Sequence, residues 1–195
     1  MTLLQLNNPK TDTYRQFKNY VLGSGFPWFW IDDTLGLKES ESIDSYPDLT
    51  DEQRSSGKFG TFGMFTHTFL KRPGTPDPQS QSRLFYPASE GDNTKGINAI
   101  LCEIFQHNNI KLNVIYRIST NAVFPQKRII SCLPHIDHEY PHKNLLIYFT
   151  NAGGETFIEG EPFDPKEDDI ISFEGMHWHN TPTDKRRVVL VVTYL

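Results

Sequence analysis

Cysteine is scarce in this chain of 195 residues: Cys102 and Cys132 are the only two. Two thiols do not make a disulfide framework, so a stapled secreted scaffold is excluded. Both read as small buried hydrophobes of a protein kept in a reducing, cytoplasmic setting. Long apolar runs are missing as well. None approaches the roughly 18–20 residues that cross a bilayer, so no membrane span is expected. The opening MTLLQLNNPK has no basic stretch followed by an apolar one, so no secretion signal is read there. Positive charge is not in surplus. Nineteen Lys and Arg stand against 24 Asp and Glu, a net charge of −5, which weighs against nucleic-acid binding through bulk charge. No internal repeat is present, which excludes a solenoid.

Aromatics, by contrast, are abundant: 14 Phe, 8 Tyr and 3 Trp. They favour strands and large packed cores, and the chain is long enough for one domain with a real core. Residues 13–22 (TYRQFKNYVL) place Tyr14, Phe17 and Val21 at helical spacing, with Thr11 or Asp12 as the cap. Residues 94–109 repeat the pattern more strongly, with Ile97, Ile100, Leu101, Ile104 and Phe105 on one face. Between them, GSGFPWFWIDD is aromatic and rich in turns. FGTFGMFTHTFL (59–70) reads as a strand or hairpin, 38–58 as a polar loop, and KRPGTPDPQSQS (71–82) as a Pro-rich loop.

From residue 111 the pattern changes to short β-like runs: LNVIYRIS, RIISCLPHID, NLLIYFT, GETFIEG, DDIISFEG, MHWHN and RRVVLVVTYL. NAGG and TPTD punctuate them as turns. Short strands this closely spaced predict a sandwich or barrel. The expected organisation is a single domain, residues 1–195. An N-terminal helical and irregular portion (1–110) is laid against an all-β core (111–195).

The chemistry concentrates in two places. In 134-PHID-137, strand alternation would turn His135 and Asp137 to one side. Near the other end, 173-FEGMHWHN-180 offers His177 and His179, which also share a face. Two His and one carboxylate form a facial triad that leaves three positions open on an octahedral ion, a design suited to Fe(II) and O2. Arg186 and Arg187 then open an otherwise apolar strand, and an inward guanidinium there needs an anionic partner. His138 and His142 are expected on a substrate-facing loop or in solvent. His67 reads as a core or rim residue, and Trp178 as packing or a pocket wall.

The order His-x-Asp, about 40 residues, His, about ten residues, Arg is more specific than any of its parts. With PHID, NLLIYFTNAGGETFI (144–158), DDIISFEG and RRVVLVV, residues 110–195 resemble the Fe(II)/2-oxoglutarate-dependent dioxygenases. The resemblance is strongest to the prolyl-4-hydroxylase-like branch frequent in phage and marine microbial genomes. It implies a mainly β fold with flanking helices and a double-stranded β-helix core, a cupin-like jelly roll. Fe(II) would be held by His135, Asp137 and His179, with His177 as the alternative. Arg187, rather than Arg186, would clamp the far carboxylate of 2-oxoglutarate. Tyr148 and Tyr116 would hydrogen-bond that cosubstrate. O2 would be the second cosubstrate and ascorbate an accessory reductant. The implied activity is hydroxylation of a C–H bond on a protein, peptide or small-molecule substrate, proline first among side chains, in the cytoplasm (a host's, if phage-encoded). It departs from the pattern at Val189, where the family often carries a small hydroxyl residue. Two other readings predict different behaviour. A cupin-type metal or ligand binder would not need Arg187, and an interaction or structural protein would not need the metal.

Overall fold

The computed structural model describes residues 3–32, 34, 50–51, 58–72 and 92–195. The polar stretch 38–58 and the Pro-rich loop 71–82 lie largely outside the described residues. Among the described residues the fold is mainly β with two flanking helices.

The first helix, α1 (Asp12–Leu22), starts where the sequence predicts. Thr11 is its N-cap and accepts from the Tyr14 amide at 3.2 Å, satisfying one of the free first-turn donors. Tyr14, Phe17 and Val21 form its buried stripe. The second, α2 (Asp92–His107), buries Ile97, Ile100, Leu101, Ile104 and Phe105, the face read from spacing alone. Each such side chain contributes about 1.5–3 kcal/mol on leaving water.

A seven-stranded sheet runs in the order β1-β8-β5-β10-β4-β3-β2. Its strands are β1 (Leu4–Leu6), β2 (Phe29–Ile31), β3 (Met64–Leu70), β4 (Ile115–Val123), β5 (Lys143–Tyr148), β8 (Ile170–Phe173) and β10 (Arg187–Tyr194). A second sheet of β6 (Thr156–Ile158), β7 (Glu161–Phe163) and β9 (His177–His179) runs in the order β7-β6-β9. Single bridges, Ser131 to Asn180 and His135 to His177, lay the segment 131–135 along β9 as its fourth member. From β4 onward the chain thus alternates between the two sheets, apart from the β6–β7 pair within the small sheet, which is the double-stranded β-helix. No helix of the described residues is long and apolar enough to cross a membrane.

Strand alternation divides the large sheet cleanly. Val188, Leu190, Val192 and Tyr194 of β10 join Leu145, Ile147 and Phe149 and the two helices in the main core. The other face looks toward the small sheet. Tyr148, Leu146, Ile171, Phe173 and Val189 pack there, and Arg187 shares the parity of Val189. Toward the far end of the strands this inner face turns polar. Phe173 pairs with Asn144, Asn144 with Thr193, and Thr193 with Arg117, forming one row across four strands.

Candidate functional site

The segment carrying His135 and Asp137 is a bridged ribbon rather than a regular strand. Pro134 has no amide hydrogen to give. The amide of His179, opposite Cys132, donates to the Cys132 sulfur at 3.1 Å, while the Cys132 amide donates to the His179 carbonyl at 2.9 Å. Ladder pairing resumes at His135, which exchanges two backbone hydrogen bonds of 3.0 Å with His177. That exchange sets the two imidazoles side by side, with ring centroids 4.4 Å apart. Asp137 follows on the same side, its Oδ2 3.5 Å from Nε2 of His177.

The orientation of each ring is fixed by its own backbone. Nδ1 of His135 lies 2.8 Å from the Leu133 carbonyl, and Nδ1 of His177 lies 3.2 Å from the Gly175 carbonyl. A carbonyl only accepts, so each Nδ1 carries a hydrogen, and the neutral ring leaves its lone pair on Nε2. Nε2 of His177 therefore faces Asp137 Oδ2 acceptor to acceptor. The other oxygen of Asp137, Oδ1, is occupied by Arg72 at 2.9 Å and Arg117 at 3.1 Å.

Electrostatics separate the three imidazoles. Burial opposes charge on His135, but the Cys132 sulfur, Asp137 and the Leu133 carbonyl raise its pKa to about 9. Burial and the neighbouring His135 push His177 down to about 4. Burial, His177 and Arg187 hold His179 well below the ordinary histidine value. Although burial acts the other way, Arg117, the two His and Arg72 keep the Asp137 carboxyl far below the usual carboxylate range. The cluster thus holds an ionised carboxylate and two neutral imidazoles, and a bound cation has to displace only the His135 proton. Nitrogen atoms of His135, His177 and His179 all lie within 4.8 Å of one another.

His179 has a different setting from His177. Its Nδ1 contacts Thr156 Oγ1 at 2.9 Å, and that oxygen contacts the Tyr148 hydroxyl at 2.6 Å. Tyr148 is fully buried, which pushes its pKa up to about 12, so it remains a hydroxyl. Arg187, 4% exposed, completes this inner compartment. Its Nη1 donates to the carbonyls of Gly154 (3.0 Å) and Asn180 (2.8 Å), while its Nε is buried with no partner. No carboxylate of the described residues lies within ion-pair distance of it. Burial lowers its pKa, with Tyr148, Cys132 and Glu155 acting in the opposite direction.

Several sequence expectations find their places here. His135, Asp137, His177 and His179 come together. Arg186 turns to the opposite face and donates to the Leu22 carbonyl at 3.4 Å. Val189 lies directly across from Tyr148 of the neighbouring strand. Tyr116 does not join Arg187. It sits at the other end of β4, beside a register shift, with its ring 4.9 Å from Tyr140 and 6.0 Å from His138. His67 is a core residue, its Nδ1 2.8 Å from the Pro27 carbonyl. Trp178 points away from the histidines and stacks on Phe157. The sequence reading missed Arg117, Arg72 and Thr156. Strand parity could have flagged Arg117, since it shares a face with Ser119 and Asn121. Nothing in the sequence links Arg72 to Asp137.

No family model and no curated protein matches the chain. Solved structures do. A prolyl hydroxylase from Trichoplax adhaerens, in complex with a hypoxia inducible factor oxygen degradation domain peptide fragment, is 11% identical with a TM-score of 0.52. The match covers 99% of this chain and 83% of that one. A full-length protein from Neurospora crassa, in complex with alpha-KG, is 13% identical with a TM-score of 0.47, covering 98% and 75%. A 2OG-Fe(II) oxygenase family oxidoreductase from Burkholderia pseudomallei is 15% identical with a TM-score of 0.40, covering 67% and 68%. At these identities the likeness is one of fold, and the first of the three carries it: this chain has the double-stranded β-helix architecture of that hydroxylase.

Proposed function

We propose that this protein is an Fe(II)- and 2-oxoglutarate-dependent oxygenase. It hydroxylates a C–H bond of a protein or amino-acid side chain, proline the first to test, while 2-oxoglutarate is decarboxylated to succinate and O2 is consumed. One observation carries the reading: Nε2 of His177 and Oδ2 of Asp137 face each other as acceptors at 3.5 Å, beside His135. Two acceptors opposed in a buried site call for a cation between them. The donor set fits Fe(II) as His135, Asp137 and His177. The fold likeness and the resemblance of residues 110–195 agree with it.

The inner compartment fits the cosubstrate. The unpartnered Nε of Arg187 is an orphaned cationic donor in a water-poor setting, and it suits a carboxylate. Tyr148 stands opposite Val189 as a second donor. When bound, iron with 2-oxoglutarate supplies the oxidising chemistry. The residues of this chain do the rest. Leu133 and Gly175 hold the two imidazoles in one tautomer. Arg117 and Arg72 take Oδ1 of Asp137, leaving Oδ2 as the donor. Ile158, Phe173 and Val189 keep water from the interior.

The test is an anaerobic titration of metal-free protein with Fe(II) and 2-oxoglutarate, followed by the visible charge-transfer band of the chelated keto acid. Wild type should develop the band and Asp137→Ala should not. Iron bound tightly without a band would replace this reading by a second one, a cupin-type site of three histidines without 2-oxoglutarate. The mutual approach of His135, His177 and His179 within 4.8 Å favours that alternative. No iron and no band would leave an interaction or structural protein.

A further inference from the structure

Beyond the His135–His177 backbone pair the two segments that carry these residues part. Between them opens a cleft of about 660 Å3 with Ile136 and residues 138–142 along one wall and 174–176 along the other. His135 is among its lining residues, so the cleft borders the histidine cluster.

Most of what the walls offer accepts hydrogen bonds or carries negative charge. His142 is only 8% exposed, and its Nδ1 lies 2.8 Å from the Tyr140 carbonyl, so Nδ1 is the donor. In the neutral ring Nε2 is then an acceptor, and it is buried with no partner. Each wall adds a carboxylate at the rim, Glu139 from one and Glu174 from the other, both exposed. Glu174 meets Lys143 at 3.8 Å, an exposed pair of little strength. Tyr140 and His138 stack at 4.7 Å and present an aromatic surface beside these acceptors. No lysine or arginine lines the cleft among the described residues. A ligand for such a surface gains most by bringing donors and positive charge; a phosphate or carboxylate would find the Tyr140 hydroxyl as a donor, but the two carboxylates and the His142 acceptor against it.

We propose that the cleft binds the substrate as a peptide, through a lysine or arginine side chain held by Glu139 and Glu174 and laid against Tyr140. A guanidinium fits best, because its fork matches carboxylates and its plane stacks on aromatic rings. Exposed Ile136 and Leu195 at the rim give apolar contact to the residues flanking the cation. The proposal rests on the oxygenase reading for the chemistry beside the cleft, but its charge preference stands apart from that reading.

The experiment compares Ac-Gly-Arg-Gly-NH2 with Ac-Gly-Cit-Gly-NH2, in which citrulline is the neutral isostere of arginine. Binding is followed calorimetrically at low salt, in wild type and in Glu139→Gln/Glu174→Gln. Both replaced side chains are exposed and isosteric, and the variant's melting curve checks that it folds. The arginine peptide should bind about tenfold or more tightly than the citrulline peptide. The gap should shrink as salt rises and close in the double variant. Equal affinities in wild type, no binding of the arginine peptide, or a gap that persists in the double variant would overturn the proposal. The chelate band is recorded on the same samples. A band without an arginine preference removes only the cleft assignment, and an arginine preference without a band removes only the oxygenase.

Discussion

His177 and His179 sit two residues apart on one face of β9, yet their partners give them different work. The Gly175 carbonyl turns the Nε2 of His177 toward Asp137, whereas His179 is tied through Thr156 to Tyr148. His177→Ala should therefore abolish stoichiometric Fe(II) binding. His179→Ala should weaken it no more than the roughly 10–100-fold typical of an orienting neighbour. Anaerobic equilibrium dialysis decides, and the reverse order would make His179 the ligand. Arg187→Lys tests the second compartment. It keeps the charge but loses the fork and the unpartnered Nε, so 2-oxoglutarate affinity should fall roughly 10–100-fold with Fe(II) affinity unchanged. Equal affinity in the variant would show that the cosubstrate does not use this guanidinium. The residue types of the site were legible in the sequence, because short motifs name them. The choice between the two histidines was not. Strand parity is identical for both, and what separates them is a backbone carbonyl and a threonine from another strand, neither of which spacing encodes.

At the scale of elements, α1 is fastened to the turn before β8 by Asp168 and, through Lys18, by its neighbour Glu167. Asp168 accepts from Tyr14 at 2.7 Å and from Lys18 at 2.5 Å, and its Oδ2 lies 3.3 Å from Lys10. Although burial acts the other way, Lys18 and Tyr14 hold its pKa below the ordinary value. A depressed carboxylate contributes stability above its unfolded pKa and loses it as pH falls through the folded one. Stability should then decline with acid below about pH 4, and Asp168→Asn should flatten that decline. The same variant should cost about 1–3 kcal/mol at pH 7, because it weakens the hydrogen bonds of Tyr14 and Lys18. Asparagine is the substitution of choice, since Asp168 has φ +71°, a conformation Asn tolerates. Urea unfolding at pH 7 and pH 3 measures both effects, and parallel curves for variant and wild type would show that Asp168 bears no such load. Both helices were legible because their buried stripes span two turns or more. The three-residue strands β1 and β2 were not, being too short to show a period and owing their pairing to neighbours distant in sequence. The His135–Asp137 segment read as a strand, but Pro134 and the Cys132 sulfur interrupt its ladder.

Across the whole molecule the two faces of the large sheet do opposite things. The helix-covered face is largely apolar, with Thr120, His67 and Ser172 as buried exceptions, and it supplies most of the stability. The inner face buries Arg187, Asp137, Asn144 and Ser119 close to three imidazoles, and both amide atoms of Asn144 and the Ser119 hydroxyl lack partners. Buried polar groups of this kind cost stability until something pairs with them. Ligands that fill the site should thus stabilise the entire fold rather than one loop. At a free concentration about a hundred times its Kd, a metal ion that binds only the folded chain adds about 2.7 kcal/mol. For a chain of this size that corresponds to a Tm rise of roughly 5–11 °C. Co(II), which resists air oxidation, is the practical probe. Wild type should show the shift, 2-oxoglutarate should extend it, and Asp137→Ala should show neither. Hydrogen exchange locates the gain. The amides of β4, β5 and β10 belong to the apolar core and should be slow with or without metal. Those of 131–137 and β9, joined by few ladder bonds, should slow on binding. A uniform slowing of surface loops, or a shift that survives in Asp137→Ala, would mean that the metal binds elsewhere on the surface.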